Sequence, residues 1–251
     1  VVLLQVRRED HPPAEEAGRR STTYIYLKGE EMKARIKINP NTLLAMNTFA
    51  TADIMRPALS SVLLEWDVGD RKAPPILRYV GTEGHVIGIY ETAARDQDTF
   101  EADKGSVLIP VRDVFMPLLN EARRSKHRKK PLYEPDLFLT IGDEDELEMT
   151  LDDAISFRHK PETAAYPNWR KVTPEGADVP FPYLPVEYVG VSPRLLVKFV
   201  DAALTMGDRT PVVQLRFSGE TKQMQVLVKG CYSGDLWGYL MPAMIEKRVK
   251  T

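Results

Sequence analysis

The sequence predicts an α+β fold with helices on one face of antiparallel sheets, and two observations carry that prediction. Three segments have the apolar spacing of an amphipathic helix, and each is followed by three short runs with strand character. A unit of strand, helix and three strands therefore recurs three times, as a weak structural repeat without a matching sequence repeat.

The elements follow in order. Residues 7–20 are charged and carry Pro12, Pro13 and Gly18, the composition of a linker or surface loop. Ser21 to Ile38 alternates apolar and polar residues through Tyr24, Tyr26 and Lys28, then Met32, Ala34, Ile36 and Ile38. With Gly29 between the two runs, this predicts two strands joined by a turn.

Asn41 to Asp53 predicts the first helix, with Leu43, Leu44, Met46, Phe49 and Ala50 on one side, and strands at Ser60 to Glu65, Ile76 to Val80 and Val86 to Glu91 follow. Val111 to Arg124 predicts the second, on Val114, Phe115, Leu118, Leu119 and Ala122, with strands at Leu137 to Ile141, Glu146 to Leu151 and Ala154 to Arg158. Ser192 to Met206 predicts the third, on Leu195, Leu196, Phe199, Val200, Ala203 and Leu204, and Ser192-Pro193 supplies an N-cap followed by proline at the first helical position. Its strands are Val212 to Phe217, Gln223 to Val228 and Leu236 to Met241.

A chain of 251 residues has room for one large or two modest domains. Pro167, Pro174, Pro180, Pro182 and Pro185 mark a composition shift that makes 161–187 the best boundary. With 43% hydrophobic and 28% charged residues and a net charge of −2, the chain reads as an ordinary globular protein, not as a generally basic nucleic-acid binder. A basic stripe on one face remains compatible with that balance.

Cys231 has no second cysteine for a disulfide and cannot supply a thiolate zinc site, so a reducing cytoplasm is the expected location. The apolar stretches fall short of the ~18 residues of a membrane span, and Val1 to Val6 is too short for a signal-peptide core, so neither a span nor a targeting segment is expected.

The catalytic inventory is poor. His11, His85, His127 and His159 are far apart, and no zincin, nucleophile-elbow, Walker or dinucleotide fingerprint occurs, so no enzymatic activity and no cofactor is expected. Asp143-Glu144-Asp145-Glu146 resembles a metal-binding run, but consecutive carboxylates between two strands read as a solvated turn, and no metal is assigned.

Five pieces in register are more informative: Ala50 to Glu65 with its Arg56-Pro57-Ala58-Leu59, Tyr79 to Ile87 with Thr82-Glu83-Gly84-His85, Ser106 to Pro110, Tyr166 to Pro174, and Tyr239 to Met244 with Met241-Pro242. In this order and spacing the set resembles the beta subunit of bacterial DNA polymerase III, the replicative sliding clamp. The resemblance implies the DNA-clamp fold, with residues 1–33 as an N-terminal extension, 34–174 as a clamp-like domain similar to the clamp's middle domain, and 175–251 as a shortened domain similar to the second half of its last domain. The clamp's first domain and the first half of its third have no counterpart. Because the family closes its ring through those domains, the resemblance implies a homo-oligomer of different stoichiometry: four chains, or three if 1–33 and 174–191 supply the missing strands.

Family clamps hold partners, polymerases and clamp loaders among them, by short linear motifs with leucine and phenylalanine anchors in a hydrophobic pocket. Position by position, the resemblance assigns Thr82, Gly84, His85, Val86 and Ile87 to one side, Pro167, Lys171 and Val172 to the floor, and Leu240, Met241, Pro242, Ala243 and Met244 to the other side. A methionine-rich groove adapts to varied anchors, and a glycine lets a backbone approach closely. Val86, where the family often has arginine, and Ala243, where it has a larger residue, imply an altered motif preference. The plainer reading is that Met241 to Met244 finish a core strand and His85 satisfies a turn.

Duplex DNA is the second implied partner, held by sequence-independent phosphate contacts along helix faces turned into the ring. Arg112, Arg123, Arg124 and Lys126 in and after the second helix, and Arg194 and Lys198 on the third, are the candidate contacts. A clamp-derived module that captures clamp-binding peptides without encircling DNA is the competing expectation.

Overall fold

The computed structural model describes residues 4–6, 32–53, 55–69, 73–120, 137–142, 146–151, 155–160, 164–171, 189–217, 223–229 and 234–241. Its strands are β1 (Leu4–Val6), β2 (Met32–Lys37), β3 (Val62–Asp67), β4 (Ile76–Thr82), β5 (Val86–Ala93), β6 (Thr99–Phe100), β7 (Lys104–Ile109), β8 (Leu137–Gly142), β9 (Leu147–Leu151), β10 (Ile155–His159), β11 (Val212–Arg216), β12 (Met224–Lys229) and β13 (Asp235–Leu240). They form two sheets with antiparallel pairing throughout. One runs β1-β10-β9-β8-β2-β6, the other β11-β12-β13-β5-β4-β3-β7.

Among the described residues the helical segments are α1 (Pro40–Asn47), the single turn α2 (Pro57–Ser60), α3 over 111–120, α4 (Pro193–Thr205) and one 3-10 turn at Trp169–Lys171. The inward residues of both sheets, among them Ile36, Leu139 and Met149 in the first and Leu64, Tyr79 and Val226 in the second, share one core with Leu43, Met46 and Phe49 of the α1 region, Phe115 and Leu118 of α3, and Phe199 and Ala202 of α4. This is the expected α+β layering, with helices against antiparallel sheets.

Several predicted boundaries shift for local reasons. The first helix stops at Asn47 instead of continuing to Asp53, because the Thr48 hydroxyl and amide both bond back to the Ala45 carbonyl and tighten the last turn. Beyond it Thr51 Oγ1 accepts from Asp53 N and Asp53 Oδ1 accepts from Met55 N, side-chain turns that replace the helical ladder. The strand expected at Ser60 begins at Val62, since Pro57 opens a helical turn whose carbonyl takes the hydroxyls of Ser60 and Ser61. The second helix opens as a wide turn over Val111–Phe115, with Phe115 N reaching back to Pro110 O at 3.4 Å. Strands β1, β6 and β7 are additions to the sequence expectation, the first two only three and two residues long. The strand expected within residues 21–31, the 7–20 segment and the end of the second helix lie outside the described residues.

Burial separates the two sheets. In β8 and β9 buried and partly exposed residues alternate, the pattern of a sheet packed on one face. In β4, β5, β12 and β13 most successive residues are buried, so the second sheet is covered on both faces. Among the described residues, the segment around Trp169 covers part of its outward face.

Candidate functional site

Cross-strand register arranges the outward face of the second sheet in three rows. The middle row, Leu108, Leu63, Val80, Ile89, Trp237 and Leu227, is apolar across six strands. On one side of it lies a charged row of Glu65, Arg78, Glu91 and Asp235. On the other lies Thr82, Ile87, Tyr239, Gln225 and Arg216. Trp169 belongs to one buried cluster with Leu63, Val80, Ile87, Ile89, Leu227, Trp237 and Tyr239, with Tyr166 packed at its margin.

Two contacts fix the covering segment to the sheet, and a third braces it internally. Tyr166 Oη donates to Val80 O at 3.2 Å, Arg170 makes a two-pronged pair with Glu65 at 2.8 Å on each oxygen, and the Arg170 guanidinium stacks 4.2 Å over the Trp169 ring. Burial pushes the Tyr166 hydroxyl well above its ordinary pKa, and burial likewise pushes Tyr239 up to about 12, so both stay neutral at physiological pH.

The β4–β5 turn borders this face. Thr82 Oγ1 donates to Val86 O at 2.8 Å and accepts from Gly84 N at 3.1 Å. Gly84 takes φ +101°, a left-handed conformation natural to glycine, and a side chain there would stand in open space. Met241 N donates to His85 O at 3.0 Å, which ties the end of β13 to the turn. Met241 itself is 48% exposed, an apolar side chain left in solvent beside an apolar face.

The structure therefore brings together Thr82, Gly84, His85 and Ile87 with Met241, because β5 and β13 are neighbouring strands with Ile87 opposite Tyr239 and Val86 opposite Leu240. It separates two members of the expected wall. Val86 and Leu240 point to the helix side and are buried in the main core, since strand alternation gives adjacent residues opposite faces. Pro167 and Lys171, at either end of the covering turn, are exposed. Val172, Pro242, Ala243 and Met244 lie outside the described residues.

Tyr239, Trp169 and Gln225 are outward-face residues that the expected wall set omitted. The alternation of β13 and β12 was the signal that could have found them, because it pairs Tyr239 with Met241 rather than with Leu240.

Of the expected DNA contacts, Arg112 and Arg194 are exposed, on the opening turns of α3 and α4. Lys198 is not presented to solvent: its ammonium donates to Glu83 Oε2 at 2.6 Å and to Thr48 O at 2.8 Å, and its side chain is only 14% exposed. The exposed positions of α4 after Arg194 are Val197, Asp201 and Leu204, a face of mixed character. Arg123, Arg124 and Lys126 lie outside the described residues. No cluster of three metal-ligating side chains and no helix long and apolar enough to cross a membrane occurs among the described residues. Of the acidic run only Glu146 is described, and its backbone carbonyl accepts from Gly142 N in the β8–β9 turn.

The overall arrangement of antiparallel sheets and helices recurs in solved structures. A sliding clamp (DNA polymerase III subunit beta) from Pseudomonas aeruginosa, bound to griselimycin, superposes with a TM-score of 0.55 over 94% of this chain and 68% of its own, at 17% identity. The chain has a sliding-clamp fold. The Helicobacter pylori beta clamp bound to a DNA ligase peptide gives a TM-score of 0.56 at 15% identity, covering 85% of this chain and 66% of that clamp. A C. crescentus beta sliding clamp gives 0.52 at 15% identity, covering 90% and 70%. This clamp-like chain thus spans about two thirds of the length of each. No family profile and no curated protein matches the sequence.

Proposed function

We propose that the protein is a sliding-clamp-like processivity factor, a homo-oligomeric ring that encloses duplex DNA and tethers a polymerase or other replication partner by short linear motifs. The observation that supports this most directly is the convergence, within a clamp fold, of the Thr82–His85 turn, Ile87, Met241 and the Trp169 segment on one partly open apolar face. Such a face accepts apolar anchors, and Met241 adapts to their shape. The helix-and-strand units, read as one recurring module, and the division into residues 34–174 and 175–251 belong to the same proposal. Retention on DNA is then topological, and tethering raises the partner's local concentration without any bond being broken.

One observation favours a second reading, a clamp-derived module that captures such peptides without encircling DNA. Lys198 is committed to Glu83, and α4 offers Val197, Asp201 and Leu204 to its surroundings instead of a basic stripe.

Light scattering at low and moderate salt separates the two. Three or four chains per particle, together with retention on circular but not linear duplex DNA, supports the ring. A monomer that binds a leucine- and phenylalanine-bearing peptide supports the module, and a chain that binds no such peptide overturns both.

A further inference from the structure

We infer that the outward face selects an acidic linear motif, with Arg216 receiving a carboxylate that the partner carries beside its apolar anchors. The inference rests on the reading of this face as the peptide site, and adds to it the chemistry of the partner.

The row that begins at Thr82 and Ile87 ends in a chain of polar groups. Gln225 is 1% exposed and sits between Tyr239 and Arg216 in cross-strand register. Its amide donates to Tyr239 Oη at 3.4 Å, and its carbonyl oxygen accepts from Arg216 Nη1 at 3.5 Å, both at the long limit of a hydrogen bond. Arg216 Nε is buried without any hydrogen-bond partner. A buried guanidinium donor left empty is uncommon and calls for an acceptor.

The charges of the face are polarised. Glu65 is paired with Arg170 and Glu91 with Arg78, all on the far side of the apolar row. Among the described residues no carboxylate is paired with Arg216. It sits two strands from Tyr239, roughly 10 Å at the ordinary strand spacing, which is within the reach of a few extended residues from a chain anchored at Met241. A carboxylate placed there would satisfy the empty donor in a charge-assisted bond, stronger than a neutral one.

The test uses paired peptides with one leucine and one phenylalanine anchor, carrying Asp or Asn at each flanking and intervening position in turn, titrated into the full chain. At one position the Asp peptide is expected to bind about tenfold more tightly than its Asn counterpart, as one charge-assisted bond allows. Arg216→Gln should abolish that difference, the Asp peptide then binding no better than its Asn counterpart, and Arg216→Lys should retain part of it. Equal affinity for every Asp and Asn pair, or a preference that survives in Arg216→Gln, overturns the inference with peptide binding intact. Failure of all peptides to bind overturns the peptide-site reading and the inference with it.

Discussion

Lys198 of α4 and Glu83 of the β4–β5 turn form a partly buried ion pair that also clasps the Thr48 carbonyl beyond the end of α1. Three elements distant in sequence meet at one ammonium, and the turn it steadies is the one that borders the candidate peptide site. Lys198→Met leaves a carboxylate and a carbonyl without their donor in a site only 14% and 21% exposed, so we expect a loss of about 1–3 kcal/mol, between surface and fully buried pairs. Urea unfolding measures it, and Glu83→Gln in the same chain should recover part of the loss.

The same pair changes what Lys198 can do for DNA. Each phosphate contact contributes about one unit to the log–log salt slope of binding. If the chain encloses DNA, Arg112→Ala and Arg194→Ala should each flatten that slope by about one, whereas Lys198→Met should leave it unchanged. A flattening by Lys198→Met equal to theirs would return Lys198 to the phosphate contacts.

Three glycines in cross-strand register, Gly81, Gly88 and Gly238, open the sheet where the helices press on it. A side chain at Gly88 would enter the ring of Phe49, whose edge-to-face partner Phe199 of α4 lies 4.8 Å away between centroids. Gly88→Ala should therefore destabilise by about 1–3 kcal/mol through overpacking, even though alanine suits a strand no worse than glycine does. An unchanged unfolding midpoint would show that the helices can ride up without cost.

Much of this arrangement was legible in the sequence because period-two alternation and helical spacing are local signals. The core faces of α1 and α4, and ten of the thirteen strands among the described residues, came directly from them. Strand β6 has two residues and follows Asp96-Gln97-Asp98, where no alternation can be read, and its position depends on pairing with Ala34 and Arg35. The binding face was half legible. Motif order brought His85 and Met241 together, but Val86 and Leu240 were assigned to the wall by position in the motif, against the alternation that turns their side chains inward. The pairing of Lys198 is illegible for a different reason: a lysine on a helix shows its charge in the sequence, while the carboxylate it bonds sits 115 residues away.

Met241 offers a test of the face that leaves the fold alone. At 48% exposure it contributes little to the core, so Met241→Ser should shift the unfolding midpoint only slightly while weakening an apolar-anchored peptide several-fold. Trp169→Ala should do both, because its ring is buried in the apolar cluster that includes Val80, Ile87 and Tyr239. Calorimetric titration beside thermal unfolding distinguishes the two, and intact peptide affinity in Met241→Ser would move the site elsewhere.

The buried tyrosines give the fold an alkaline limit. Desolvation raises the pKa of Tyr79, Tyr166 and Tyr239, the last to about 12 from an ordinary value of 10.0. For a group whose folded pKa lies above its unfolded one, the stabilisation is complete below the unfolded value and is lost as pH rises through the folded value. Stability should therefore hold to about pH 10, the unfolded tyrosine value, and fall steadily above it as unfolded chains ionise hydroxyls that folded chains keep neutral. Tyr239→Phe removes one such group, and also the acceptor that Gln225 uses, so its urea midpoint should start lower at pH 8 and decline less between pH 10 and pH 12. A slope identical to that of the parent chain would mean that Tyr239 is hydrated in solution and carries no part of the alkaline transition.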